Sequence, residues 1–194
     1  MLMLMFKTMG RAFMLLLVMT LLTGIAYPLI VTGLAKVIFP KQAEGSLAYK
    51  SGQPTGSVLI GQNFSDARYF YSRPSAAGKD GYDAANSSGS NLGPTNKVFL
   101  DSAAKLAEKV RTDNGLSATA PVPSDLITAS ASGLDPDITP EAAQIQVIRV
   151  AKARNQSEQK VQALVDQYIE GRQFGFLGEP RVNVLQLNMA LDSL

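Results

Sequence analysis

The sequence contains no cysteine, no histidine and no tryptophan among its 194 residues. Without cysteine the chain has no thiol nucleophile and no disulfide. Without histidine it lacks the imidazole that zinc sites and Ser-His-Asp triads commonly use. The lack of cysteine does not identify a redox compartment, because many exported bacterial domains form no disulfides. These absences exclude enzymes that need a cysteine nucleophile or a histidine imidazole, and zinc sites of the usual kind.

A Ser/Lys hydrolase is compatible with this composition, because such an enzyme needs no histidine. Serines are plentiful, and Lys79, Lys97 and Lys105 are available as a base. The sequence has no GxSxG turn, the motif with which α/β-hydrolases expose their nucleophile. We therefore predict no catalytic centre and no firmly bound cofactor in this chain.

Long apolar runs are also scarce, and the single example is AFMLLLVMTLLTGIAYPLIVTGLA at residues 12–35. This run is free of charge, and as a helix it spans about 36 Å, enough for a hydrocarbon core of about 30 Å. A cleaved signal peptide with its cleavage site near residues 24–26 is the alternative, but secretory apolar regions usually end within about 15 residues. We predict a short N-terminal tail at 1–11 and an uncleaved transmembrane helix at 12–38.

The charges that flank the apolar run do not determine its orientation in the membrane. Lys7 and Arg11 flank one end of the run, while Lys36, Lys41 and Lys50 follow the other, so the positive-inside rule does not decide. Long domains translocate largely regardless of their charge, and a very short N-terminus suits an anchor whose N-terminus stays inside. We predict a single-pass protein with the bulk of the chain outside the cytoplasm.

The charge of the remaining chain is close to neutral. All 16 acidic residues and 15 of the 18 basic residues lie after residue 40, which gives that part a formal charge of −1. Nucleic-acid-binding domains carry a clear excess of positive charge on one face. We predict no nucleic-acid partner, and we count the lipid bilayer as one contact of the chain.

The segment after the anchor divides into a connector at 39–56 and a body at 57–194. The apolar run SVLIGQNF at 57–64 and the aromatic run RYFYSRPSA at 68–76 predict two strands. Residues 77–96 are rich in glycine, serine and asparagine and cannot bury much apolar surface. Because loops of this length are uncommon unless they are functional, we expect an ordered loop or a contact surface there.

Three helices are predicted in the second half of the body. Apolar residues recur at helical spacing from Val98 to Val110, and Gly115 closes that pattern. The second helix is predicted to begin with Thr139 as N-cap and Pro140 in the first turn, and to run to about residue 155. The third covers the apolar positions 161–169.

The C-terminal run RVNVLQLNMAL at 181–191 begins with the alternation that is typical of a half-buried strand. With strands early and last and helices between them, the fold class is α+β. The prediction is one N-terminal transmembrane helix followed by one small soluble α+β domain.

The stretch SASGLDPDITPEAA at 130–143 allows three interpretations. Ser130, Ser132 and Gly133 could cradle a phosphate, but the lysine-containing GxxxxGK motif is absent. Asp135 and Asp137 could hold a hard cation, although calcium loops normally supply more carboxylates. A capped helix start needs no ligand at all, so we favour it and predict no metal site.

Two further groups of residues have both a plain and a functional interpretation. One face of the anchor carries small and hydroxyl side chains, which suit either an ordinary membrane helix or close packing with a partner helix. The residues of this face are Thr20, Thr23, Gly24, Tyr27 and Pro28. A basic cluster late in the second helix is either a solvated helix end or a contact for lipid headgroups or nucleotide. Its residues are Arg149, Lys152, Arg154 and Lys160.

Six segments together resemble one family. They occur in this order behind the anchor: GSVLIGQNF (56–64), YFYSRPSA (69–76), GSNLGPTN (89–96), DLITASASGLDPDITPEAA (125–143), RVAKAR (149–154) and RVNVLQLN (181–188). The combination closely resembles the C subunits of bacterial Kdp potassium-transporting ATPases. Asp137 departs from the pattern, which often has histidine or asparagine there, and this disfavours a fixed ligand at that position.

The resemblance implies an accessory subunit of a high-affinity, ATP-driven potassium uptake complex in the bacterial cytoplasmic membrane. The implied partners are a channel-like potassium-binding subunit, a P-type ATPase subunit and a small single-span subunit. ATP and K⁺ are then handled by the complex, in which this subunit supports assembly and raises the ATP affinity of the ATPase subunit. If that effect is direct, the residues implied are Ser130, Ser132, Gly133 and Gln146. An anchored, exported binding or assembly protein unrelated to potassium is the alternative.

Overall fold

The computed structural model describes residues 2–194, and the chain forms two compact units whose boundary in the sequence lies between Leu47 and Ala48. The N-terminal unit is almost entirely helical, with α1 at Leu2–Leu21, α2 at Tyr27–Ile38 and a short α3 at Pro40–Ala43. The apolar helix therefore begins ten residues before the predicted span, and the predicted tail is helical from Leu2 onward.

The segment Met3–Ile38 is long and apolar enough to cross a membrane, and its most apolar window has no buried residue. This helix belongs to the N-terminal unit, where its apolar side chains are exposed along its length. One long apolar N-terminal helix of this kind fits a single-pass membrane anchor, as the sequence predicts.

A π-helical turn at Leu22–Ala26 interrupts the anchor helix. The N–H of Tyr27 donates to the carbonyl of Leu22, five residues back, instead of the usual four. Pro28 follows at once and has no N–H to donate, so a local change of hydrogen-bond spacing accommodates it. The Thr23 hydroxyl donates to the Met19 carbonyl at 2.7 Å, a type of bond that often bends helices.

From Leu47 onward the chain contains five α-helices, one short 3₁₀ helix at Ser124–Leu126 and two small sheets among the residues that the structure describes. These α-helices are α4 (Lys97–Asp113), α5 (Pro140–Gln144), α6 (Val147–Arg154), α7 (Glu158–Gln167) and α8 (Val184–Leu191). The strands β1 (Leu47–Lys50) and β2 (Gln53–Ser57) pair with each other. The strands β3 (Asp137–Ile138), β4 (Ile169–Glu170) and β5 (Arg181–Asn183) form an antiparallel sheet in the order β3-β5-β4. The predicted α+β class is confirmed.

The core lies between the three-stranded sheet and helices α5 to α8. It consists mainly of small and β-branched side chains, with one fully buried aromatic ring. Its members are Phe70, Leu126, Ile138, Ala142, Ala143, Val147, Val150, Ala151, Val161, Val165, Val182, Val184, Leu187 and Leu191. The helical spacing of Val161 and Val165 on α7 predicts their burial correctly.

Two predicted helices are confirmed closely, and the second is divided. Lys97–Asp113 matches the predicted first helix, and Glu158–Gln167 matches the third, except that Ile169 begins β4 instead of continuing the helix. The predicted helix from 140 to about 155 is two helices, because the chain makes a turn at Ile145 and Gln146 before α6 begins. Asn155 then closes α6 in the left-handed conformation, at φ +53°.

The strand predictions are less accurate. The segment 181–191 is a strand for only three residues and then continues as α8. The segments 57–64 and 68–76 contain no strand beyond the end of β2 at Ser57, so both of these strand predictions are wrong. An extended apolar segment needs a neighbouring strand to become a strand itself. In residues 68–76, side chains from other elements supply hydrogen bonds to the backbone instead, as described below.

Candidate functional site

The stretch at 130–143 and the polar loop at 77–96 meet in one surface, although they lie far apart in the sequence. We call it the loop surface and define it as residues 75–89 and 129–136. Both segments are fully described by the structure, and neither contains a helix or a strand. Their backbone groups therefore need partners other than a helical or sheet ladder.

Serine hydroxyls supply those partners. The hydroxyl of Ser75 donates to the carbonyl of Gly133 at 2.6 Å, and that of Ser87 donates to the carbonyl of Ser132 at 2.9 Å. The hydroxyl of Ser88 donates to the carbonyl of Ala76 at 3.0 Å. The serine-rich composition that predicts a functional loop thus also explains how that loop is ordered.

Gly133 allows the two segments of the loop surface to touch. It has φ +66°, and a Cβ atom there would lie 2.5 Å from the Ser88 carbonyl oxygen and 2.7 Å from the Ala77 nitrogen. Gly89 makes a second close approach, since its Cβ would lie 3.0 Å from the Ala131 carbonyl oxygen. Side chains at these two positions would push the segments apart.

Tyr82 fixes the outer segment to the body. Its N–H donates to the Ser75 hydroxyl at 2.7 Å, and its own hydroxyl donates to the carbonyl of Arg73 at 2.6 Å. Burial raises the pKa of the Tyr82 phenol, so the hydroxyl remains a neutral donor at physiological pH. The loop surface is therefore preorganised.

A polar cavity of about 530 Å³ opens at the loop surface. Arg73, Ser130, Ser132 and Asp135 supply its polar side chains. The guanidinium of Arg73 donates to the Asp135 carboxylate at 2.8 Å, while its buried Nε has no hydrogen-bond partner among the described residues. This arrangement offers hydroxyls and a guanidinium to a polar or anionic group, but Asp135 already neutralises most of the positive charge.

The helix start in the same stretch has the predicted cap. The Thr139 hydroxyl accepts the N–H of Ala142, and Pro140 occupies the first turn. The carboxylate of Asp125, itself only 6% exposed, accepts the N–H of Thr139 at 2.6 Å. A buried carboxylate therefore fixes the backbone of the N-cap residue. The sequence pattern did not reveal this contact. Among the described residues, no group of three potential metal ligands occurs.

Gln146 lies away from the three loop residues with which the resemblance groups it. Its side chain is 1% exposed, and its Oε1 accepts the N–H of Tyr71 at 2.7 Å and an N–H of Arg149 at 2.6 Å. Its Nε2 donates to the Ala142 carbonyl at 3.0 Å. The cavity that Gln146 borders, of about 240 Å³, is lined by different residues from the cavity at the loop surface. The structure thus brings Ser130, Ser132 and Gly133 together and separates Gln146 from them.

Arg149 connects that amide to the extended segment 68–76. Its guanidinium, on a residue 8% exposed, donates to the carbonyls of Ala67 and Tyr69 and to the side chains of Asn114 and Gln146. It also stacks on the ring of Tyr71, at 3.8 Å from the ring centroid. Burial lowers the pKa of Arg149, and nearby anionic groups offset part of this shift. This residue is therefore a structural one and not part of a solvated basic face.

Asn188 completes the support of the extended segment, and the sequence pattern did not single it out. It is 1% exposed, its Oδ1 accepts the N–H of Phe70 at 2.8 Å, and its Nδ2 donates to the carbonyl of Phe70 at 2.9 Å. These two bonds copy the pairing that a neighbouring strand would give. The available signal was an asparagine within the apolar run of α8.

The predicted basic cluster separates into residues with different roles. Arg154 donates to the Leu191 carbonyl at 2.9 Å and to the Asp192 carboxylate at 2.7 Å. Burial opposes ionisation of Asp192, but hydrogen bonds from Lys50, Arg154 and Tyr69 outweigh it and hold the pKa of Asp192 below its ordinary value. Arg149 and Arg154 are thus structural, and Lys152 and Lys160 are the exposed members of the cluster.

The chain contains serines three residues before a lysine at 102–105 and 157–160, which is the spacing of Ser/Lys hydrolases. Ser157 is the N-cap of α7, where its hydroxyl accepts the N–H of Lys160. The ammonium of Lys160 donates to Gln156 at 3.1 Å. At 157–160 the motif therefore forms a helix cap.

Asp137 pairs with Asn183 across the sheet between β3 and β5. Its carboxylate accepts an N–H of Asn183 at 3.0 Å and forms an ion pair with Arg181 at 3.2 Å. Partial burial raises the pKa of Asp137, and repulsion from Asp135 and Glu170 adds to the effect, while Asn183 and Arg181 oppose it. Its geometry is that of a structural carboxylate in the sheet.

The raised pKa predicts the effect of Asp137→Asn. A group whose pKa is higher in the folded chain favours folding more as the pH falls, so ionised Asp137 is slightly unfavourable at neutral pH. We expect the variant to be as stable as the parent at pH 7, or slightly more stable. Urea unfolding at several pH values measures this, and the variant should gain less stability than the parent on acidification.

Asp66→Asn is the control with the opposite sign. Hydrogen bonds from Arg68 lower the pKa of Asp66 to about 2. That variant should lose a little stability at neutral pH, and the difference should disappear in acid. If Asp137→Asn followed the same course as Asp66→Asn, the explanation of its raised pKa would be wrong.

Nearly the whole chain matches a family of known proteins. The model of the family KdpC, described as K⁺-transporting ATPase, c chain, matches residues 9–193. A relative from Methylococcus capsulatus, named potassium-transporting ATPase KdpC subunit, is 56% identical over 184 residues, which cover 94% of this chain and 96% of the relative. A relative of the same name from Rhodopseudomonas palustris is 54% identical over 200 residues, covering 97% and 99%.

A third relative of that name, from Methylibium petroleiphilum, is 56% identical over 188 residues, covering 96% of this chain and 97% of the relative. These matches include the anchor, the loop surface and the C-terminal helix. The chain belongs to the KdpC family of subunits of the K⁺-transporting ATPase. The resemblance drawn from the six sequence segments is confirmed.

Proposed function

We propose that this chain is a non-catalytic accessory subunit of an ATP-driven potassium uptake complex, needed for the assembly and stability of its other subunits. The observation that carries the proposal is the family match over residues 9–193, which includes both the anchor and the body. The proposed partners are a channel-like potassium-binding subunit, a P-type ATPase subunit and a small single-span subunit.

The anchor is proposed to pack against the channel-like subunit through Thr20, Thr23, Gly24, Tyr27 and Pro28. Small and hydroxyl side chains let membrane helices approach closely. The π turn at Leu22–Ala26 supports this assignment, because such turns often occur at functional positions of helices. Residues 12–38 are proposed as the membrane-spanning part, with the N-terminus inside and the body outside.

The loop surface is proposed as the contact of the body with the outer face of the channel-like subunit. Three properties support it: the loop is ordered by its own serines, it is tied down through Tyr82, and it is fixed at Gly133 by close packing. A preorganised polar surface loses little conformational entropy on binding, which favours a specific contact. A body outside the membrane cannot meet cytosolic ATP, so any effect on ATP affinity is transmitted through the complex.

A contact of nucleotide with Ser130, Ser132, Gly133 and Gln146 is the more direct form of the ATP proposal. The separation of Gln146 from the loop residues does not favour it, since the Gln146 amide is occupied by Tyr71, Arg149 and Ala142. The indirect form is therefore the one we adopt. ATP and K⁺ are handled by the complex as a whole.

The double variant Ser87→Ala and Ser88→Ala tests the role of the loop surface. It removes the hydroxyls that tie the loop to Ser132 and Ala76, while leaving the core intact. In the reconstituted complex we expect weaker assembly, and a potassium dependence of ATP hydrolysis shifted to higher concentration. Ser102→Ala, an exposed serine on α4, is the control. If both variants assemble and take up potassium like the parent, the loop surface is not the contact.

The alternative is an anchored assembly or binding protein unrelated to potassium. It predicts no change in the amount of this protein when cells are starved of potassium, whereas the proposed function predicts a strong increase. Measuring the protein in membranes from starved and replete cells separates the two.

A further inference from the structure

A short hairpin between β4 and β5 exposes the most prominent apolar side chains of the body. We call it the aromatic tip and define it as residues 172–179, RQFGFLGE. Phe174 is 87% exposed, Phe176 is 70% exposed and Leu177 is 47% exposed. Three neighbouring apolar side chains on one turn form an exposed patch, and patches of this kind mark sites of contact with another molecule or a membrane.

The backbone of the aromatic tip is ordered by its own hydrogen bonds. Gln173 and Leu177 pair in both directions, with N–H to carbonyl distances of 2.8 and 2.9 Å. The N–H groups of Gly175 and Phe176 donate to the carbonyls of Arg172 and Gln173. The phenylalanines are therefore held outward by a closed turn, with several of its polar backbone groups already satisfied.

The aromatic tip carries no net charge. Arg172 and Glu179 stand at its base and form an ion pair at 2.6 Å, and the residues between them are uncharged. Two residues further from the tip along the two strands, Arg181 pairs with Glu170, also at 2.6 Å. A neutral, apolar end on a charged base matches the change in polarity across the interface of a lipid bilayer.

We propose that the aromatic tip inserts into the interfacial region of the lipid bilayer, as a second membrane contact of this chain beside its anchor. Phenylalanine and leucine side chains on interfacial segments bury at the boundary between the lipid headgroups and the acyl chains. The internally paired turn can enter that region at small cost, because unpaired backbone groups are what make such entry unfavourable. The proposal goes beyond the accessory role and does not depend on which side of the membrane the body occupies.

The size of the aromatic tip also favours lipid over a protein groove. A phenylalanine buries between about 150 and 250 Å² when covered, so the tip offers roughly 400 Å². A stable protein interface needs about 800 Å² from each partner. An additional lipid contact can be much smaller, because the anchor in the same chain already keeps the body at the membrane surface.

The absence of tryptophan from the sequence allows a direct test. Phe176→Trp places a single tryptophan in the aromatic tip of the full-length chain, and Ile148→Trp places one on α6, where the side chain is 53% exposed. Each variant is reconstituted into phosphatidylcholine vesicles with and without brominated acyl chains. We expect blue-shifted emission for Phe176→Trp, and quenching by the brominated lipid several times stronger than for Ile148→Trp.

Two results would overturn the proposal. Equal quenching of the two variants, together with equal access to aqueous iodide, would show that the aromatic tip stays in water. A blue shift that appears only in the complete complex, without quenching by brominated lipid, would assign the tip to a groove of another subunit. Phe176→Ser should keep the thermal midpoint of the parent, because the side chain is exposed, and this separates loss of contact from loss of folding.

Discussion

Gly133→Ala should lower the free energy of unfolding of the body by about 2–4 kcal/mol. Two effects add to this value. The first is the left-handed backbone, at φ +66°, which a Cβ disfavours, and the second is the overlap of that Cβ with Ser88 and Ala77. Denaturant unfolding measures the total, and hydrogen exchange at residues 77–89 should show that this loop opens first.

Gly115→Ala is the matched control for the backbone effect. Gly115 has φ +65°, nearly the same as Gly133, but a Cβ added there would meet no heavy atom within 4 Å. This variant should lose only about 1 kcal/mol, and the exchange of 77–89 should remain as in the parent. Equal losses in the two variants would show that the close contact at Gly133 contributes nothing.

Asn188→Leu should cost about 2–5 kcal/mol of folding free energy, because the N–H and the carbonyl of Phe70 both lose their partner inside the core. The leucine side chain has a similar shape, so the change acts mainly on hydrogen bonding. Gln159→Leu changes an exposed amide on α7 and should stay within about 0.5 kcal/mol of the parent. A small effect at Asn188 would mean that the Phe70 peptide finds other partners.

Asn188→Asp distinguishes lost hydrogen bonding from lost shape. The ionised carboxylate still accepts the N–H of Phe70, but it has no proton to donate to the Phe70 carbonyl and it buries a charge. Its pKa in the folded chain should therefore be raised, so the variant should regain stability as the pH falls. Asn188→Leu should show no such recovery.

The elements that depend on local sequence were predictable. Helices α4 and α7 have clear apolar periodicity, and the Thr139 cap with Pro140 has a residue-level mechanism, so the structure matches those predictions. The anchor is predictable for the same reason, since a charge-free run of that length has few other uses. The turn that divides α5 from α6 contains no glycine or proline, so the sequence has no local signal that predicts it.

The extended segment at 68–76 shows where such reasoning stops. Its aromatic composition predicts a strand, but whether a strand forms depends on a neighbour elsewhere in the chain. The neighbours are the side chains of Gln146 and Asn188, which lie 75 and 118 residues from their partners. Pairing of this kind has no local periodicity, so the sequence pattern identifies the extended backbone and not its partners.

The two segments of the loop surface could be identified from the sequence, but their contact could not. Composition predicts an ordered or functional loop at 77–96, and the stretch at 130–143 attracts attention through its serines and aspartates. That the two segments touch depends on Gly133, whose importance comes from the position of Ser88 and Ala77 in space. The separation of Gln146 from Ser130 and Ser132 likewise depends on the tertiary fold.

The most direct test of the account is recovery of partners by the tagged full-length chain from mild-detergent membranes of potassium-starved cells. The account predicts stoichiometric recovery of a channel-like subunit and a P-type ATPase subunit with the parent and with Gly115→Ala, and much weaker recovery with Gly133→Ala at equal expression. Recovery of the parent chain alone, from cells shown to make the pump, would contradict the proposed role as an assembly subunit.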